Sequence, residues 1–281
     1  MSTASRVWFV TGTSSGFGRC LVEQALAAGD RVVATARNPD ALAELSARAP
    51  EALRVLTLDV ARPEEVRRVV EEARDVWGRL DVIVNNAGYG LVGALEEYDD
   101  AQIERNVATN LMGPLHVIRA ALPILRSQKS GHIINLSAAA AISNYPGFSV
   151  YGGAKAALEA VTESLRLELA SLGIRVTLVE PGPFRTNFIG RSLDRGSRRL
   201  PDYDASSGRF LRVLETMDGR QPGDPERAAA AIVQMVKDGK GPLRLVLGKY
   251  AIDKTRRTLA SRESELRDWE AVGLAADYPP G

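Results

Sequence analysis

Val7-Trp8-Phe9-Val10-Thr11-Gly12-Thr13-Ser14-Ser15-Gly16-Phe17-Gly18 is the stretch whose reading decides the fold. The unbroken apolar run from Val7 to Val10 suits a strand buried on both faces. Glycines follow at once, and Cys20 to Ala28 then reads as a helix stopped by Gly29. Strand, glycine turn and helix form the context in which such a turn holds a phosphate. Glycines let the backbone approach a pyrophosphate closely, and the helix N-terminus offers free N–H groups and a partial positive charge. On that reading Gly12, Ser14, Ser15, Gly16, Phe17 and Gly18 line a ligand site. The plainer reading is a tight turn that binds nothing.

Downstream, strands and helices alternate. Arg31 to Ala36 is a second strand, and Asn38-Pro39 opens a short helix through Arg48. Leu53 to Leu58 is a third strand, ending in Asp59-Val60, and Pro63 to Trp77 a helix closed by Gly78. Asp81 to Val84 is a fourth strand that runs into Asn85-Asn86-Ala87-Gly88. Helical patterns cover about 101–126, with Asn110 and Gly113-Pro114 inside them, which favours a kink with a freed carbonyl. His132 to Ser137, Ile174 to Val179 and Leu243 to Leu247 complete the strands; Tyr151 to Leu172, Asp224 to Lys237 and Ile252 to about Val272 complete the helices. The segment 187–223 lacks periodicity and reads as a lid or binding loop. Its Arg191, Arg195, Arg198 and Arg199 read first as a solvated loop and second as a contact for an anionic substrate. The alternation predicts a parallel sheet with right-handed crossovers. The glycine turn, Arg37, Asp59, Asn86, Ser137, Tyr151 and Pro181 all fall at or just past strand C-terminal ends, the edge where open α/β sheets bind ligands.

Residues at that edge also speak to the ligand. An acidic side chain closing the second strand would accept from a ribose 2′-hydroxyl. Ala36 holds that place and Arg37 follows, and a guanidinium pairs with a 2′-phosphate, which favours NADP over NAD. Asp59 either accepts from an adenine amino group or caps the next helix.

Composition removes other classes of function. The 281 residues are 45% hydrophobic and 25% charged, as in ordinary globular proteins, and the net charge of +1 recruits neither nucleic acid nor anionic membrane. No apolar run reaches the length of a membrane span, and Val7 to Val10 is too short for a secretory signal core. The single cysteine, Cys20, excludes an internal disulfide, so the expectation is a cytoplasmic protein. His116 and His132 have no cysteine partners, so no metal site is expected, and each reads as a surface or helix-packing residue.

Tyr151 and Lys155 stand four residues apart, one turn along a helix face. A tyrosine in water titrates near about pH 10, and a nearby cation lowers that value. The pair is an acid–base device, unless it is simply a surface tyrosine beside a lysine.

Taken together, Thr11-Gly12-x-x-x-Gly16-x-Gly18, Asn85-Asn86-Ala87-Gly88, Asn110, Tyr151-x-x-x-Lys155 and Pro181-Gly182 with Thr186 resemble the short-chain dehydrogenase/reductase family in its single-domain form. The resemblance covers about 7–186 and continues more weakly to about 250. It implies a Rossmann-type, doubly wound α/β fold: a seven-stranded parallel sheet flanked by helices, one domain over 1–281 with its core at about 6–250. It implies hydride transfer between NADP(H) and a small-molecule carbonyl or alcohol. Tyr151 would donate the proton, Lys155 would bind the nicotinamide ribose and lower the tyrosine pKa, and Asn110 would hold a water linked to Lys155. Val60, Asn86, Ala87, Gly88, Pro181, Gly182, Phe184 and Thr186 would complete the cofactor site. Pairing through the helices at about 101–126 and 151–172 would give a homodimer or homotetramer.

One position departs from the pattern. Family members carry a serine thirteen positions before the tyrosine, and here that position is Ala138. Ser137 serves if the loop is one residue longer; Ser143, Asn144 or Ser149 substitutes; or the donor is missing. A missing donor opens a second reading, a non-redox catalyst or an NADP-binding regulatory protein on the same fold.

Overall fold

The computed structural model of the chain describes residues 5–278; residues 1–4 and 279–281 lie outside that range. In chain order the elements are β1 Val7–Thr11, α1 Gly16–Ala27, β2 Arg31–Ala36, α2 Ala43–Arg48, β3 Leu53–Thr57, α3 Pro63–Trp77, β4 Val82–Asn85, β5 Gly90–Val92, α4 Asp100–Val107, α5 Gly113–Gln128, β6 Gly131–Leu136, α6 Ala139–Ile142, α7 Ser149–Leu169, β7 Ile174–Pro181, β8 Leu193–Arg195, α8 Arg209–Met217, α9 Pro225–Lys237, β9 Arg244–Leu247 and α10 Lys249–Leu274. Seven strands form one parallel sheet in the order β3-β2-β1-β4-β6-β7-β9.

Alternation along β1 sorts the two cores. Val7 and Phe9 pack with α3, α5 and α7 on one face, while Trp8 and Val10 pack with α1, α2 and α9 on the other. Val66, Val69, Val70 and Ala73 give α3 its buried stripe at helical spacing. Each such aliphatic side chain stabilises the fold by roughly 1.5–3 kcal/mol when fully buried. Gly78 ends α3 in the left-handed conformation at φ 75°, and Asp224 caps α9 by accepting from Glu226 N at 2.9 Å and Arg227 N at 3.2 Å.

The strand order reverses at β1, where β2 and β3 lie to one side and β4 onward to the other. A crevice therefore opens beyond the C-terminal ends of β1 and β4. Gly12, at φ +69°, sits there so close to the next strand's loop that an added Cβ would lie 2.7 Å from Ala87 Cα.

Three readings change. The 101–126 region is α4, a π-helical turn at Ala108–Met112, and α5. Pro114 has no N–H to give the Asn110 carbonyl four residues back, which accounts for the widened turn. The 187–223 segment is not wholly irregular. It contains β8, paired with β5 in a separate two-stranded sheet, and the helix α8. Its arginines are largely satisfied within the chain: Arg195 pairs with Glu215 and Arg199 with Asp204, while Arg198 donates to Glu96 O. Finally, His132 is neither a surface nor a helix residue. It lies buried in β6 with Nε2 2.9 Å from Thr177 Oγ1, and burial lowers its pKa to about 3, so it is neutral.

Gly12→Ala is expected to destabilise the fold by about 1–3 kcal/mol through that contact. Gly153→Ala, in α7 with nothing within 4 Å of the added Cβ, is expected to be neutral or to stabilise by about 0.5–1 kcal/mol. Urea unfolding midpoints of the two variants check the pair.

Candidate active site

The glycine turn is braced by side chains rather than by its own backbone. Thr11 Oγ1 accepts from Asn86 N and Ala87 N, each at 3.0 Å. Asn86 Nδ2 donates to Thr11 O at 2.8 Å and Gly12 O at 2.9 Å. A Cβ on Gly18 would fall 2.4 Å from both Gly12 O and Asn86 Nδ2, so only glycine lets α1 start this close to β1. Ser15, the N-cap of α1, makes no side-chain cap bond, which leaves first-turn N–H groups directed at the crevice. Across the crevice, a Cβ on Gly16 would lie 3.3 Å from Thr186 Cβ, and the Phe17 and Phe184 rings pack with centroids 5.0 Å apart. The structure thus brings the glycine turn, Asn86, Ala87, Phe184 and Thr186 to one cleft. Gly182 is held to β9 through its N–H to Leu247 O, 3.0 Å.

The second half of the site is buried. Tyr151 is 6% exposed, Lys155 4% and Asn110 0%. Lys155 Nζ donates to Leu136 O, the last carbonyl of β6, at 2.8 Å. Asn110 Nδ2 donates to Tyr89 O at 2.9 Å and Asn106 O at 3.1 Å, while its Oδ1 is buried without a partner. A Cβ on Gly88 would lie 2.6 Å from Asn110 Oδ1 and 3.3 Å from Lys155 Nζ. Asn110, Lys155 and Gly88 therefore converge, and a buried acceptor is left facing that point. The Tyr151 ring packs against Phe148 at 5.1 Å and Phe188 at 5.6 Å.

Burial governs the charges here. It pushes the Tyr151 phenol well above its usual value and brings Lys155 down to about 8. In the free chain desolvation dominates, so the phenol shows no net lowering.

Ser137 is committed elsewhere. Its hydroxyl donates to Glu159 Oε1 at 2.5 Å, whereas Ala138 packs into the cluster that holds Tyr151, Phe148 and Leu214. Successive residues of an extended chain face opposite ways, so the methyl, not the hydroxyl, is turned to the phenol. Asn144 is also committed: Nδ2 donates to Phe148 O at 3.1 Å, and Oδ1 accepts from Tyr145 N at 2.9 Å. Ser149 is exposed at the start of α7, and Ser143 follows α6 half-buried.

At the other end of the crevice, Asp59 is not the cap of α3, since Arg62 holds that position. Its carboxylate accepts from Ala61 N at 3.0 Å in a local turn, and Val60 packs beneath Gly113. Arg37 is exposed and makes no ion pair among the described residues. Sequence reasoning missed Glu180 in β7. Its oxygens are buried, Arg244 Nε lies 3.1 Å from Oε1 without hydrogen-bond alignment, and Glu159 stands nearby. Desolvation first, then the Glu159 charge, raises its pKa to about 7. Glu180-Pro181-Gly182 had drawn notice for the proline and glycine alone.

A family profile described as short chain dehydrogenase matches residues 6–195. An oxidoreductase of Botryotinia fuckeliana is 35% identical over 273 residues, 97% of this chain and 99% of that protein. A short-chain dehydrogenase from Streptomyces avermitilis superposes with a TM-score of 0.92 at 40% identity, over 98% of this chain and 100% of that one. A serine dehydrogenase solved in its closed form with NADP+ gives a TM-score of 0.72 at 26% identity, over 86% and 94% of the two chains. No helix among the described residues is long and apolar enough to cross a membrane.

Because Glu180 titrates higher folded than unfolded, its contribution is fully present below its unfolded pKa of about 4.5. That contribution is lost as pH rises toward about 7. Glu180→Gln is expected to flatten the fall in melting temperature between about pH 5 and 7. Thermal melts of both proteins across that range check it.

Proposed function

The chain belongs to the short chain dehydrogenase family and is an oxidoreductase of it; from that premise we propose an NADP(H)-dependent enzyme that interconverts ketones or aldehydes and alcohols, with Tyr151 as the proton donor and acceptor. The observation that carries this reading is the convergence of Lys155 and the unpartnered Asn110 Oδ1 beneath Gly88, one turn along α7 from Tyr151 and beside the braced glycine turn.

The residues present fit a dinucleotide. Gly12, Gly16 and Gly18 leave a cradle that side chains would fill, α1 presents uncapped N–H groups, and Thr186 lies opposite. Bound NADPH supplies a hydride. Tyr151, kept protonated by burial, offers its proton to the carbonyl oxygen during reduction. Lys155, anchored on Leu136 O, would hold the nicotinamide ribose with its remaining N–H donors. Asn110 Oδ1 would take a hydrogen bond from a water shared with Lys155, giving the buried lysine a route to solvent protons. Arg37 faces solvent free to pair with a 2′-phosphate.

The phenol's surroundings favour an apolar carbonyl substrate. Phe148 and Phe188 pack against the Tyr151 ring, Phe210 and Leu214 belong to the same apolar cluster, and Ala138 adds a methyl where the family carries a hydroxyl donor. Tyr151 is then the side-chain donor to the substrate oxygen. A non-redox role on the same fold rests on Ala138 alone, and the Ser substitution separates the two readings.

Tyr151→Phe is expected to lower NADPH-dependent carbonyl reduction by about a hundredfold or more while cofactor affinity is kept. Ala138→Ser is expected to raise turnover, by up to about a hundredfold if the missing donor limits the rate. Steady-state kinetics on a panel of aryl and alkyl ketones reads both. No turnover from either wild type or the Ser variant, with NADPH bound, would favour the non-redox reading.

Arg37→Ala is expected to weaken NADPH binding roughly tenfold, the worth of one charge-assisted hydrogen-bonded pair, and to leave NADH binding unchanged. Fluorescence titration with the two cofactors tests the choice directly.

A further inference from the structure

α10 is 26 residues long, yet only its first turns touch the body. Ala251 and Lys254 are buried, and the Lys254 ammonium lies 3.6 Å from the centroid of the Tyr145 ring. Arg262 Nη2, 3.4 Å from Ile142 O, makes the last hydrogen bond to the body among the described residues. Every residue from 259 to 278 is exposed. Among them are Leu259, Leu266, Trp269, Val272 and Leu274, each 60–69% exposed. A solvated helix of that length is marginal in water on its own. Large apolar side chains gathered on it mark a surface that is covered in use.

The charges identify the cover. Lys249 to Arg262 holds five cations and one anion, and Glu263 to Leu274 holds four anions and one cation. This order opposes the helix dipole, which favours acids at the N-terminus and bases at the C-terminus. It therefore costs stability in a lone helix, and it is complementary to itself when reversed. We propose that the projecting half of α10 is an interface for a second copy of this chain, packed antiparallel about a two-fold axis passing near Arg262 and Glu263.

The residues fall into register about that axis. Leu259 and Leu266 are equidistant from it, so each meets the other in the partner. Ile252, Leu259 and Leu266 recur every seven residues on one face, and Gly273 continues the row. Ile252 then meets Gly273, which has nothing within 4 Å of an added Cβ in the single chain, so a large side chain faces a small one. Arg256 flanks that row one turn before Leu259 and Glu270 flanks it one turn after Leu266, so the two come opposite one another across the axis, and Arg256 also reaches the face of Trp269. A partner of this kind satisfies an isologous interface with one self-complementary surface. An anionic bilayer fits worse, because the exposed far half carries a net negative charge. The surface is separate from α5 and α7.

Two charge-reversed proteins test this without touching the cleft. Arg256→Glu and Glu270→Lys each place like charges opposite one another across the axis. Each is expected to weaken self-association at least about tenfold in sedimentation velocity. Mixed in equal amounts, the two are expected to recover the wild-type assembly, because every reversed pair is then matched across the axis. Thermal melts confirm that each variant is folded. Unchanged assembly in either variant, or no recovery on mixing, overturns the proposal. So does co-sedimentation of wild type with phosphatidylcholine–phosphatidylserine vesicles that the same substitutions abolish while assembly is unaffected.

Discussion

The bond from Lys155 Nζ to the carbonyl of Leu136 ties the long helix α7 to the end of strand β6, and the site depends on it. An ammonium at 4% exposure needs a partner, and the last carbonyl of a strand, which has run out of sheet, supplies one. Fixing Lys155 there fixes Tyr151 one turn earlier on the same face. It also sets which neighbours the phenol meets: Phe148 just before α7, Phe188 from the segment after β7, and Ala138 just past β6. The widened turn at Ala108–Met112 completes the arrangement by leaving Asn110 with one amide end bonded and one free.

The free chain holds the acid and the base in states set by burial rather than by each other. The phenol is raised and the ammonium lowered, both through desolvation. A raised phenol is a protonated one, the form that reduction needs. Oxidation needs the phenolate, and that form requires a positive field the free site does not supply. Lys155 has two N–H donors beyond the one on Leu136 O, and it is the residue placed to supply that field when a ribose and a water would engage them. Behind the site, Ser137, Glu159, Glu180 and Arg244 form a second polar cluster. It stiffens the join between β6, α7, β7 and β9 and leaves a carboxyl that titrates near neutrality.

Much of this was legible in the sequence because its signals are local. The Val7–Gly18 stretch shows strand, turn and helix in one line, and Asp224-Pro225 marks a helix start that the structure reproduces. Pro114 after Asn110 announced the disturbed helix, though not that it would be a π turn. What was not legible depends on contacts distant in sequence. Whether Ser137 or Ala138 faces the phenol turns on the twist of the chain leaving β6, which spacing alone leaves open. β8 pairs with β5 about a hundred residues earlier, and three-residue strands carry no periodicity to detect. Glu180 reads as an ordinary strand-end acid until Glu159 and Arg244 arrive from other elements. The long terminal helix was seen, but not that more than half of it would stand clear of the body.

The central claim is that Tyr151 is an acid whose strength is set by whether Lys155 is free to act on it. The direct measurement is the ultraviolet titration of that one phenol, taken as the difference between wild type and Tyr151→Phe, with and without saturating NADP+. The account predicts a value above the free-tyrosine range of about 10 in the free chain, falling by at least about one unit when the cofactor binds. A phenol that titrates at the same pH in both states would contradict it.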